Sequence, residues 1–473
     1  MTKRRCRCFF VSLQQVCWFF VWVSPLLAAE PSRPNVLMIM VDDLGWMDLH
    51  CQGNLRLTTP NIDRLATAGM RFTDAYAAAP VCSPTRAAVL TGLSPARLKI
   101  TNHIPDQERF TPKDATLAPA EMFDHLPLEH VTIAERLRDA GYATGFFGKW
   151  HLAGRDLPKQ QGQGDLRFYP EQQGFDVNVG GCAMGGPFSF FDPYNLHNLP
   201  SRKEGEYMPD RLADEVIQFI TTHRREPFFA CLWNYTVHWP MEAPEPLVEK
   251  YKRRNDLGTL DPRYAAMIEA LDSSLGRIFK SLDELELTDH TLVIFTSDNG
   301  AFGGVADNRP LRAAKGYLYE GGIRVPLIVR WPGKVKPESE CHQPVISMDF
   351  FPTILESVGL ERDAQSVLDG ESILPLLKQS GELKRSAIYF HYPNYAFHQD
   401  NRLGGAIRQG KFKLIENFDD GSVELYNLEN DISEAHNLAG ELPDRATELK
   451  GKLQEWRKEM GAAMPTKREL VNQ

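Results

Sequence analysis

The 473-residue chain has no excess of basic residues: 53 Lys and Arg face 62 Asp and Glu, a formal net charge of -9. That balance argues against a nucleic-acid partner, whose phosphates reward a basic surface, and leaves room for a local positive pocket on an acidic protein. No cysteine spacing resembles a zinc ribbon or a redox C-x-x-C pair. Past the first thirty residues there is no apolar run long enough to cross a bilayer, so no stable membrane span is expected once a leader is removed. The 42% hydrophobic content is too high for a disordered chain and suffices for one large core with a smaller companion.

Residues 1–29 read as a signal peptide. Lys3, Arg4, Arg5 and Arg7 precede a largely apolar stretch from Phe9 to Leu27, and Leu27, Ala28 and Ala29 form a small-residue cleavage site before Glu30. An uncleaved anchor is the competing reading. Gln14 and Gln15 interrupt the apolar run, and no cysteine follows the cleavage region to take a lipid. Removing the leader takes Cys6, Cys8 and Cys17 with it and leaves Cys51, Cys82, Cys182, Cys231 and Cys341. In an oxidising compartment an odd number leaves one thiol unpaired within the chain.

Asn35 to Val41 is a short apolar run, the signature of a buried strand, ending at Asp42 and Asp43. Ala143 to Phe147, Phe228 to Trp233 and Leu292 to Thr296 are further strands, the last delivering Ser297, Asp298 and Asn299. Between them lie helices: Asn61 to Ala68, closed by Gly69; a run opened by the capping-box pair Thr132 and Glu135; and a long one whose apolar residues recur from Tyr264 to Leu282. This alternation predicts an α/β fold with a large, mainly parallel sheet flanked by helices. Chemistry in such sheets gathers beyond the carboxyl ends of the strands. From about Lys384 the texture changes to short strands separated by Gly, Asn and Asp turns, then a charged helix around Arg445 to Met460, which predicts a small antiparallel sheet. The domains are taken as 30–380 and 381–473.

Asp42, Asp43, Asp298 and Asn299 leave two strand ends with oxygen-bearing side chains that suit a hard divalent cation, Ca²⁺ or Mg²⁺. Either pair alone would equally serve a helix cap or turn. Cys82 opens C-S-P-T-R, at the expected amino end of a helix, with Arg86 one turn on, so helix end and guanidinium both favour anionic chemistry there. Lys149 and His151 flank Trp150 in G-K-W-H and, if extended, point the same way. His238 in T-V-H-W-P and Lys315 in A-A-K-G-Y complete the set: an ammonium can hold anionic oxygens, and an imidazole can move a proton near neutrality.

Taken together, C-S-P-T-R-A-A-V-L-T-G, the aspartate pair, G-K-W-H, the His238 segment, D-N-G at Asp298 and K-G-Y-L-Y-E-G-G-I-R-V-P resemble, in order, the formylglycine-dependent type I sulfatases of the alkaline-phosphatase-like superfamily. The resemblance implies that a separate maturation enzyme oxidises Cys82 to formylglycine, whose hydrate attacks sulfur. It implies a Ca²⁺ site of Asp42, Asp43, Asp298, Asn299 and residue 82. Arg86 would orient the hydrate, Lys149 and Lys315 would grip the sulfate, His238 would protonate the leaving oxygen with help from Lys315, and His151 would deprotonate the remaining hydroxyl to release sulfate. Export to a bacterial periplasm or the exterior, through the export machinery, follows from the leader together with the resemblance.

For substrate, the segments R-L-K-I-T-N-H from Arg97, F-H-Y-P-N-Y-A-F-H-Q-D from Phe390 and G-G-A-I-R-Q-G-K from Gly404 are similar to those of bacterial carbohydrate sulfatases acting on galactose-configured sugars, especially 4-sulfated galactose or N-acetylgalactosamine. His103, His391, Asn394 and His398 are then the expected sugar contacts, with an aryl sulfate as the simpler substrate. A phosphate or phosphonate ester hydrolase of the same superfamily is the competing enzyme, against which Cys82 and the single acidic cluster argue. A non-catalytic binder of sulfated glycans is the competing non-enzyme.

Overall fold

In the computed structural model the described residues are 2, 33–154, 163–361, 367–398 and 400–468. Apart from residue 2, the expected signal peptide lies outside them. From Arg33 onward the chain forms one compact unit, and none of its described helices is long and apolar enough to cross a membrane.

The centre is an eight-stranded sheet: β1 (Asn35–Val41), β2 (Met70–Phe72), β3 (Ala143–Gly148), β4 (Val177–Val179), β5 (Phe228–Asn234), β6 (Thr291–Ser297), β7 (Leu327–Arg330) and β8 (Ser339–Cys341). Their spatial order is β8-β2-β7-β6-β1-β5-β3-β4. Only β7 runs against the rest, pairing antiparallel with β2 and β6. The sheet is therefore mainly parallel, as the alternating pattern predicts. Every residue of β1, β5 and β6 is buried, which is why these segments read as continuous apolar runs.

Helices cover both faces. Phe147 packs on Phe219 of the helix Met208–Thr222, while its neighbour Phe146 points the other way, onto Trp233, which lies under the Arg86 guanidinium of the helix Cys82–Thr91. The long helix is Pro262–Glu284, and the helix after Thr132 carries the complete capping box.

Register sets the level at which side chains leave the sheet. Val41 stands opposite Asn234 on one side and Ser297 on the other, and Gly148 stands opposite Trp233. Asp42–Asp43, Asp298–Asn299, Lys149 and the segment leading to His238 thus emerge side by side at one edge.

The second sheet is antiparallel: β9 (Ala387–Tyr392), β10 (Gly404–Gln409), β11 (Phe412–Asn417) and β12 (Val423–Asn427), in that order. Strand alternation gives it two faces. Ile407, Leu414 and Leu425 pack on Leu449 and Leu453 of the helix Pro443–Met460. Phe390, Ala406 and Ile415 pack on Tyr76, Val81, Ala88 and Ile323 near the first sheet. On that inner face Arg408 meets Asp74 at 2.6 Å, and Lys413 lies 2.9 Å from Glu320 and 2.8 Å from Glu434, with the Lys413, Glu320 and Glu434 side chains fully buried.

Candidate active site

Cys82 begins its helix directly after Val81, an extended residue that offers no side-chain cap. The thiol is therefore placed among the free N–H groups of the first turn. It is buried, and its Sγ donates to Asp42 Oδ1 at 3.5 Å. Burial pushes the thiol up to about 12; Asp42 and Asp298 add to the effect and the nearby Lys149 and Lys315 oppose it. One turn along, Arg86 is fully buried and gives Nε and Nη2 to Asp298 Oδ2 at 2.9 and 2.6 Å. Its Nη1 donates to the Lys149 carbonyl at 2.6 Å.

Each of the other two carboxylates has its own lysine. Lys149 Nζ lies 2.7 Å from Asp42 Oδ2, and Lys315 Nζ lies 2.6 Å from Asp43 Oδ1. Asn299 Nδ2 donates to the same Asp43 oxygen at 2.8 Å. Asp43 and His151 both take left-handed backbone conformations, φ 60° and 61°, which non-glycine residues adopt at a cost. The turn at His151 means that Lys149 and His151 do not project as they would along an extended strand: Lys149 goes to Asp42, and His151 Nε2 goes to the Ile104 carbonyl at 2.5 Å.

The donor set fits a divalent cation. Atoms of Asp42, Asp43, Cys82 and Asp298 lie within 4.8 Å of one another, all buried. Asp43 Oδ2 and Asn299 Oδ1 are buried with no hydrogen-bond partner. Burial, opposed by Lys149 and reinforced by Asp298 and Asp43, pushes the Asp42 carboxyl up to about 8. Three carboxylates crowded in a dry site are what a hard cation relieves.

Through Cys82 the cluster meets a cavity of roughly 770 Å³ whose lining also includes His103, His151, His238, Lys315 and His398. His238 Nδ1 bonds the Trp239 carbonyl at 2.9 Å, which leaves Nε2 facing Asp43 Oδ2 at 3.9 Å. His398 Nε2 bonds the Lys315 carbonyl at 2.9 Å, and His103 Nδ1 contacts Asn102 Oδ1 at 3.1 Å. Two expected sugar contacts lie elsewhere. His391 shares a strand face with Tyr389, which stacks on Trp456, so its ring points to the helix side and Nε2 bonds the Ala463 carbonyl at 2.8 Å. Asn394 is fully buried and tied to Thr101, Asp106 and the Ala120 carbonyl.

Several lining residues escaped the sequence reading: Gln107, Arg109, Phe110, Gly185, Gly186 and Phe397. The glycine pair carried a signal. A Cβ at Gly185 would stand 2.9 Å from His151 Cε1 and Nε2, and one at Gly186 would stand 2.8 Å from His238 Nδ1, so both imidazoles sit against bare backbone.

Residues 34–360 match the Sulfatase family model, and residues 313–459 match that of the N-sulphoglucosamine sulphohydrolase C-terminal region. The chain belongs to the sulfatase family. It is similar to a sulfatase of Formosa agariphila, 31% identical with 93% of each chain covered, and to human arylsulfatase A, 33% identical with 88% of this chain and 85% of that one covered. Mouse N-acetylgalactosamine-6-sulfatase is 33% identical over 80% of this sulfatase and 72% of its own length. Among solved structures, Ps i-CgsB in complex with k-i-k-neocarrahexaose superposes with a TM-score of 0.75 at 28% identity, covering 90% of this chain and 93% of that one. The protein is accordingly a hydrolase of sulfate esters.

Proposed function

We propose that this sulfatase removes sulfate from a carbohydrate, with 4-O-sulfated galactose or N-acetylgalactosamine as the leading substrates. The observation that carries the reading is the placement of Cys82 between the carboxylate cluster and a sugar-sized cavity lined by cations and imidazoles. The galacto-configuration is supported by a relative named for N-acetylgalactosamine and by a similar structure solved with neocarrahexaose.

Asp42, Asp43, Asp298, Asn299 and residue 82 would hold Ca²⁺. Bound calcium supplies a Lewis acid, and oxidation of Cys82 to formylglycine by a maturation enzyme supplies the nucleophile. The chain's own side chains do the rest. Lys149 and Lys315 bring two positive charges to the sulfate oxygens, and Arg86 fixes Asp298 and the turn at Lys149. Lys315 is held firmly protonated: burial would lower its proton affinity, but Asp43 and the neighbouring anions outweigh it. His238 is pushed below the usual histidine range by burial and Lys315, with Asp43 opposing. The proton for the departing sugar oxygen is assigned to the His238–Lys315 pair. His151, kept neutral by burial and by Lys149, presents Nε2–H to Ile104, so its unprotonated nitrogen is Nδ1, the proposed base for the hydroxyl of residue 82, with which it shares the cavity. His103 and His398 are the proposed sugar contacts, and residues 381–473 are assigned to a C-terminal domain that contributes Phe397 and His398 to the cavity.

The test is sulfate release by the matured chain, confirmed by mass spectrometry at residue 82, from defined galactose and N-acetylgalactosamine 4- and 6-sulfates and from an aryl sulfate. Turnover of the aryl ester with none of any sugar would defeat the carbohydrate reading.

A further inference from the structure

The two buried lysines of the site are committed, Lys149 to Asp42 and Lys315 to Asp43. Arg109 differs. It is exposed, lines the same cavity and has no carboxylate in ion-pair range among the described residues. It is nevertheless held in place: its guanidinium carbon sits 5.0 Å from the centre of the Phe110 ring. Phe110 meets Phe397 edge-on at 6.2 Å, and Lys315 Nζ lies 5.8 Å from the centre of Phe397. Phe397 in turn stacks on Phe302 at 5.3 Å, and Phe302 meets Trp239 at 6.5 Å. The cavity thus has an aromatic wall with a positive charge at each end, one over the scissile site and one at the mouth. His103, 5.4 Å from Phe110, feels both: burial first, then Lys315, Lys149 and Arg109, hold it in the neutral form.

We propose that Arg109 is a subsite for a second anionic group, a sulfate or carboxylate, on the sugar adjoining the one that loses its sulfate. A sugar ring lays an apolar carbon face against Phe397 and Phe110 while its neighbour's charge meets an uncompensated guanidinium. This reading deepens the proposed function and rests on it, because it makes the preferred substrate a multiply charged oligosaccharide. Arg109 is a specificity-determining residue here; it touches none of the reacting atoms.

The test compares three galacto-configured disaccharides that share one scissile sulfate: the neighbouring ring is neutral, sulfated or a uronate. Matured wild type should favour one or both charged disaccharides by about 10-fold in kcat/KM, mostly through KM, and the preference should shrink with added salt. Arg109→Gln should collapse the preference toward unity, and Arg109→Lys should restore part of it. Which charged disaccharide leads identifies the anion. A preference that survives Arg109→Gln, no preference in wild type, or equal losses on all three disaccharides would overturn the subsite. If verified matured enzyme releases no sulfate from any of them, the functional reading falls instead. The subsite is then judged by calorimetric binding of the same disaccharides to the Cys82→Ala chain, where the charged-to-neutral Kd ratio must depend on Arg109.

Discussion

Arg86 commits two nitrogens to one oxygen of Asp298, in a pocket where neither side chain is exposed. Such a pair stands far from neutral when it is broken, because a charge cut off from water is left without its partner. Arg86→Met, close in volume and uncharged, strands Asp298. It is expected to cost about 3–5 kcal/mol. Chemical denaturation with a chelator present, so that no cation replaces the guanidinium, measures the loss, and a change under ~1 kcal/mol would show that the site relaxes around the anion.

Cys82 is expected to matter to turnover and little to folding. A cysteine sulfur could accept sulfate once but has no second oxygen on the same carbon with which to expel it. Cys82→Ser, verified as Ser, should lose essentially all sulfate release while its unfolding midpoint stays within a few degrees of the unmatured wild type, since serine fills nearly the same space. Release at the rate of the matured wild type would sink this account of residue 82.

The buried strands and the chemistry at their ends were legible because a fully buried parallel strand must be apolar throughout and must stop where polar residues begin. Asn35–Val41 followed by Asp42–Asp43, and Thr291–Ser297 followed by Asp298–Asn299, announce themselves in that way. Side-chain direction past those ends was harder. Nothing local says that His151 turns left-handed and parts from Lys149. The direction of His391 was legible in the sequence: Ile388, Phe390 and Tyr392 form the inner face of β9, which sends His391 to the other side. Arg109 and Phe110 lie in a single 3-10 turn, Glu108–Phe110, too short to show a periodicity, and only tertiary contact brings them to the cavity.

Gly185 is bare where His151 needs room. Its φ is not in the left-handed region, so alanine fits the backbone, and the added methyl meets the imidazole at 2.9 Å. Gly185→Ala should therefore move His151 off its bond to Ile104 without unfolding the chain. A displacement near 1 Å costs about 100-fold in rate. The expected outcome is a fall of that order in kcat with a small change in unfolding temperature. Unchanged kcat would mean that His151 does not handle the proton.

The buried triangle of Lys413, Glu320 and Glu434 gives stability a pH dependence with two opposite parts. Burial alone would raise Glu320, but Lys413, Arg324 and Arg408 hold it down at about 2, so its contribution is present above 4.5 and is lost as pH falls from there. Glu434 shares the same lysine, 2.8 Å from its Oε1, and its Oε2 accepts from the Glu320 backbone N–H at 2.7 Å. Burial, with Glu320 nearby, pushes it up to about 7 against the pull of Lys413. Between 4.5 and 7 the folded chain holds a proton on Glu434 that the unfolded chain has released, so this residue makes stability fall as pH rises through that window. Glu434→Gln keeps an oxygen to accept from the Glu320 backbone N–H and cannot ionise. Thermal unfolding from pH 5 to 8 at fixed calcium should show a shallower decline in the variant, and the two proteins should differ most at pH 8, where wild type carries the buried charge. Parallel curves would show that Glu434 stays ionised throughout.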